Sequence, residues 1–190
     1  MIGQFVAVFL FTACYAVMRY AGFGGVSLVH LPAYLMNKSI AMAAMVSLFL
    51  TALAFVRGER DRSRFWSRAS SHLAGMHVLI SLGTLSGGYF PRFFDGDRMN
   101  LTGEATLLTG ALAVYCLWRL APDGIEQAFR RKLNALFCTL AGGHLLVMGY
   151  GGWQQVQKWH GGLPPITLLC FCLCLASALL FLAGKEPSGA

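Results

Sequence analysis

Two histidines stand in near-copies of one phrase, HLAGMHVLISLG at 72–83 and TLAGGHLLVMGY at 139–150. His77 and His144 each follow small residues, deep in an apolar run. An ionisable side chain in such a run is costly, faces a protein interior and by default marks function. A neutral imidazole offers one N–H donor and one lone-pair nitrogen, so it can bind a metal, relay a proton or satisfy a buried carbonyl. For one isolated histidine the packing role is the ordinary one. A repeated pair in matching context points instead to chemistry shared across an interior.

The elements that must position these residues are apolar helices. Of the 190 residues 56% are hydrophobic and only 12% charged, where a soluble domain carries roughly twice that charge; the mean hydropathy is +0.59. Apolar stretches long enough to cross a bilayer recur along the whole chain. They are continuous rather than alternating, so helices and not a barrel satisfy the backbone in lipid. The expected fold is an all-α integral membrane protein, a single transmembrane domain over 1–190, with spans at 4–21, 36–56, 66–86, 101–120, 132–152 and 163–184. MIGQFVAV lacks the basic start of a cleaved signal peptide, so the first span is expected to be retained.

Lys and Arg set the orientation. RGERDRSRFWSR follows the second span, and Arg119, Arg130, Arg131 and Lys132 flank the connection after the fourth; the opposite loops carry fewer basic residues. The positive-inside rule then places both termini and both basic loops in the cytoplasm of a bacterial inner membrane. The net charge of +7 is mostly this topology signal, and basic residues that flank spans rather than forming one stripe argue against nucleic acid. Cys14, Cys116, Cys138, Cys170, Cys172 and Cys174 all fall within spans without a CxxC motif, so they form no disulfide framework. Cys170 and Cys174 can share a helix face as small packing residues, with Cys172 on another.

The similarity around the histidines extends upstream. MNKSIAMAAMVSLFLTALAF begins at Met36 and MNLTGEATLLTGALAVYCLW at Met99; each helix meets a basic loop that feeds a helix carrying the LAG-x-H phrase. Two hairpins with the same sense form a parallel repeat about an axis along the membrane normal. That axis makes His77 and His144 face one another within a four-helix core. Opposed imidazoles in a bundle suit axial ligation of one haem iron. Gly75, preceded by Ala74, and Gly142 and Gly143, preceded by Ala141, offer clearance for a flat macrocycle; Met76 and Leu145 are candidate walls. His72, matched by Thr139 in the second copy, is either a further cofactor-binding candidate or an interfacial residue. His30 and His160 fall in expected external loops.

Six spans, histidines on the third and fifth, and basic cytoplasmic loops resemble the ferric reductase-like transmembrane superfamily, which includes ferric reductases, NADPH oxidases and the haem subunits of periplasmic methionine sulfoxide reductase systems. RRKLNALFCTLAGGHLL at 130–146 resembles a stretch of the last group, with an Arg-Arg pair at the same distance before a helical histidine, and LTGEATLL at 101–108 is similar to its Thr-Gly helix start. The resemblance implies haem b and electron transfer toward a periplasmic acceptor. It also marks a departure: two-haem members carry a second histidine about thirteen residues earlier on each helix, whereas fourteen residues before His77 and His144 stand Ser63 and Arg130. What remains matches the outer haem site only. No GxGxxG fingerprint of a dinucleotide fold is present, so electrons are expected from a separate flavoprotein or from a quinol.

Two other classes fit the same residues. One is a haem-free transporter or proton relay, for which Glu104 is the one intramembrane carboxylate candidate. The other is a non-catalytic subunit that anchors or assembles a membrane redox complex.

Overall fold

The computed structural model describes residues 1–24, 31–121 and 124–184; His30 lies outside them. The chain is an all-helical, multi-pass membrane protein. Its helices are α1 (Ile2–Ala16), which runs on as a π-helical turn Val17–Gly22, α2 (Leu31–Val56), α3 (Arg60–Gly83), α4 (Leu101–Leu120), α5 (Gln127–Trp153) and α6 (Ile166–Ala183). A two-residue hairpin, β1 (Phe94–Asp95) and β2 (Arg98–Met99), lies between α3 and α4. Each expected span coincides with one helix.

Among the described residues five segments are long and apolar enough to cross a membrane: Ile2–Gly22, Leu31–Val56, Leu101–Leu120, Gln127–Trp153 and His160–Ala183. The expected span at 66–86 is not among them. Helix α3 opens with Arg60, Asp61, Arg62, Arg64 and Arg68, which leaves 69–83 as its apolar part. That is about 22 Å of helix, against a hydrocarbon core of about 30 Å.

Helices α2 and α3 form one hairpin and α4 and α5 another, while α6 packs on both α2 and α5, and α1 rests on α2. Gly58, at φ +73°, adopts the left-handed conformation that ends α2 and turns the chain within three residues into α3. Hydrogen bonds then track the antiparallel pair along its length. Ser63 Oγ donates to the Thr51 carbonyl (3.3 Å), Ser70 Oγ to the Ala44 carbonyl (3.0 Å), and Asn37 Nδ2 to Ser81 Oγ (3.0 Å). Helix α4 starts under an Asn100 cap, whose side chain accepts from the Gly103 N–H at 3.1 Å.

Water-driven burial does not hold lipid-embedded helices together, so close approach of small residues must. The buried contacts between α2, α5 and α6 are of that kind: Ser47, Ala52, Cys138, Ala141, Cys174, Ser177 and Ala178. Cys170 and Cys174 face inward and Cys172 outward. The Cys174 thiol approaches Met45 Sδ at 3.3 Å. Trp153 Nε1 donates to Thr167 Oγ1 at 2.9 Å and its ring lies over Gly149, where a Cβ would collide with the indole and with Thr167 Oγ1.

Gly149→Ala is therefore expected to destabilise the α5–α6 contact by about 1–3 kcal/mol. Gly75→Ala, at a position with nothing within 4 Å of a Cβ, gains up to about 1 kcal/mol of helix propensity. Thermal unfolding of the two variants in detergent checks the opposite signs.

Candidate functional site

His77 sits on the α3 face that packs against α2. Its Nδ1 lies 2.5 Å from Asn37 Oδ1, so the ring donates Nδ1–H to the amide oxygen. Asn37 is 5% exposed and hands its own N–H to Ser81, which stands one turn beyond His77. The side chains form a closed set, His77 to Asn37 to Ser81. His144 is held in the same way by different chemistry: its Nδ1 donates to the Thr106 backbone carbonyl of α4 at 2.9 Å. The Nδ1–Cε1 edge of the ring can approach α4 this closely because residue 110 is glycine. A Cβ there would stand 3.0 Å from His144 Nδ1 and 3.3 Å from Cε1.

Each histidine is thus anchored through Nδ1 to the helix that precedes it in its own hairpin. The anchor fixes a neutral tautomer with the lone pair on Nε2. Neither Nε2 has a hydrogen-bond partner among the described residues. Helix α3 packs on α2, and α5 on α4 and α6, without close packing of α3 on α4 or α5. Each ring presents an Nε2 lone pair that can ligate a metal ion or accept a proton. Among the described residues no three or more His, Cys, Asp or Glu side chains gather as a metal site; an axial pair of two histidines is a different arrangement.

The other expected site residues are spread more widely. His72 is exposed, donating Nδ1–H to the Arg68 carbonyl one turn back at 2.7 Å. With Met76, Phe5, Arg64 and Leu73 it lines a groove of about 720 Å³ between α1 and α3. Met76 therefore faces α1 rather than walling the histidine pair. Gly75 and Gly143 have nothing within 4 Å of a Cβ, while Gly142 is buried against α6, where a Cβ would stand 3.6 Å from Cys174 Cβ. Leu145 packs against the buried clusters that contain Cys170 and Cys174. Glu104 is exposed in the first turn of α4, and His160 is exposed with its ring 6.5 Å from that of Tyr20.

The residues that hold the imidazoles were not singled out by sequence. Asn37 appeared only as half of a repeated Met-Asn, and its counterpart Asn100 does other work as the α4 cap. Thr106 contributes a main-chain oxygen, which no sequence pattern marks. Gly110 had a weak mark, a glycine inside a helical run where alanine is the better helix former. Comparison with known protein families and with curated proteins finds no match.

Histidine-selective 15N spectra of cofactor-free protein test the tautomers. Both rings are expected to be protonated at Nδ1 and unprotonated at Nε2. Asn37→Leu is expected to alter His77 alone.

Proposed function

We propose that the chain is a single-haem, b-type membrane electron-transfer protein. His77 and His144 are its axial ligands, and it carries electrons from a cytoplasmic flavoprotein or a quinol to a periplasmic acceptor. The observation that carries this reading is the matched pair of Nδ1 anchors, one in each hairpin, which leaves both Nε2 lone pairs without a hydrogen-bond partner among the described residues. Bound haem supplies a one-electron ferric/ferrous couple. The chain supplies the rest. Asn37 and Thr106 hold the rings in the ligating tautomer, and their acceptor oxygens make each Nε2 a better donor to iron. Gly110 lets the His144 ring approach α4 closely.

Six crossings belong to the same reading. Helix α2 is apolar enough to cross, and α3 runs beside it from Ser63 to Ser81. The arginines at 60–68 then reach the headgroup region on long apolar stems. The basic ends of α3 and α5 lie in the cytoplasm by the positive-inside rule. The likeness to ferric reductase-like membrane domains supports the same assignment through the two histidine helices and their basic loops.

Protein purified with haem available is expected to show a Soret band that sharpens and splits its visible bands on dithionite reduction. His77→Ala and His144→Ala are each expected to lower haem content severely. Asn37→Leu, which leaves both ligands in place, is expected to weaken haem affinity by about 10–100-fold. No Soret band, or haem content unchanged in the double alanine variant, contradicts the proposal. Proton flux in haem-free proteoliposomes would favour the proton relay.

A further inference from the structure

Two cations at the end of the bundle where α2 begins stand on helices that carry no acidic residue. No Asp or Glu occurs before Glu59 or between Glu126 and Glu186, so α1, α2, α5 and α6 carry none. Yet Arg19, on the π-helical turn that ends α1, is 4% exposed, and Lys38 is half-buried within α2. Arg19 donates from Nη1 to the Leu163 carbonyl, while its buried Nε has no partner. A backbone carbonyl neutralises no charge, and a guanidinium removed from water without a counter-ion is strongly unfavourable. Among the described residues neither cation is in an ion pair, which leaves both open to an anion from outside the chain.

The surroundings indicate its shape. Arg19 Cζ lies 5.5 Å from the centre of the Tyr20 ring, Tyr20 meets Tyr34 edge to face at 5.1 Å, and Lys38 Nζ lies 5.3 Å from the centre of the Tyr34 ring. Two cations therefore bracket a pair of tyrosines. The widened turn at Val17–Gly22 makes this possible by burying Arg19 and Tyr20 together while Val17, Met18 and Ala21 stay exposed; such turns recur at functional sites. Lys38 is the next residue along α2 from Asn37, the anchor of His77, so the cluster and that anchor share one end of the helix. Two separated cations suit two carboxylates on one rigid ligand better than a single small anion.

We infer that Arg19 and Lys38, with the Tyr20 and Tyr34 hydroxyls, form a carboxylate-binding site for the two propionates of the haem, an assignment that rests on the haem reading of His77 and His144. Charge-assisted bonds from the two cations and hydrogen bonds from the two hydroxyls hold the carboxylates. The site fixes which edge of the macrocycle points toward the end of the bundle where α2 and α6 begin.

The test titrates cofactor-free full-length protein in detergent with haem and with haem dimethyl ester, whose carboxylates are masked. Wild type is expected to bind haem about tenfold or more tighter than the ester, both with the same bis-histidine optical spectrum. Arg19→Gln/Lys38→Gln is expected to bind the ester like wild type and to lose the preference. Arg57→Gln, which removes an exposed charge at the opposite end of α2, is expected to keep it. Should Arg19→Gln fail to fold, Lys38→Gln alone is expected to reduce the preference. Equal wild-type affinity for haem and ester overturns the carboxylate site and leaves histidine ligation standing. A preference that survives in the folded variants overturns it too, and wild type that binds neither compound overturns both readings.

Discussion

One hydrogen bond per histidine governs the site: His77 Nδ1–H to Asn37 Oδ1, and His144 Nδ1–H to the Thr106 carbonyl. Each is worth only about 1 kcal/mol in net stability. Its larger effect is on chemistry, since a ring that has committed Nδ1–H must present a bare Nε2. Without the anchor the imidazole could rotate or take the other tautomer, and the lone pair would not be held in one direction. The acceptors differ in kind but not in role. One is a buried amide that is itself fixed by Ser81, the other a main-chain oxygen that cannot move without its helix.

These anchors work only if each hairpin is rigid, and rigidity here comes from small residues. Serine hydroxyls from α3 bond to α2 carbonyls at successive levels, so α3 cannot slide along its neighbour. Helix α6 joins the halves, packing on α2 and α5 through Cys170, Cys174, Ser177 and Ala178. The cysteines that stand out in the sequence are therefore small spacers in a helix interface.

Much of this fold was legible in the sequence, because bilayer thickness writes itself as runs of apolar residues. All six helices fall where the runs are. The third is the instructive case: its basic first turns take it outside the apolar composition of a crossing helix, although it runs beside α2 for most of its length. The histidines were legible too, as polar residues repeated in apolar context. Their partners were not, since Asn37 and Thr106 are 40 and 38 residues away and only the packing of each hairpin brings them near. The glycines show the opposite limit. Gly142 was visible as a small residue, but its direction depends on helix rotation, and it faces α6. Gly110 does lie beside the His144 ring, but the two are far apart in sequence, and only the packing of α4 on α5 brings them together.

The central claim is that His77 and His144 ligate one iron from opposite sides. Low-temperature electron paramagnetic resonance of the oxidised protein tests it most directly, because two axial imidazoles make ferric haem low-spin. Wild type is expected to give a low-spin signal, and His77→Ala and His144→Ala are each expected to convert residual haem to the high-spin form left by a single axial nitrogen. A high-spin wild type, or a low-spin signal that survives either substitution, would contradict the account.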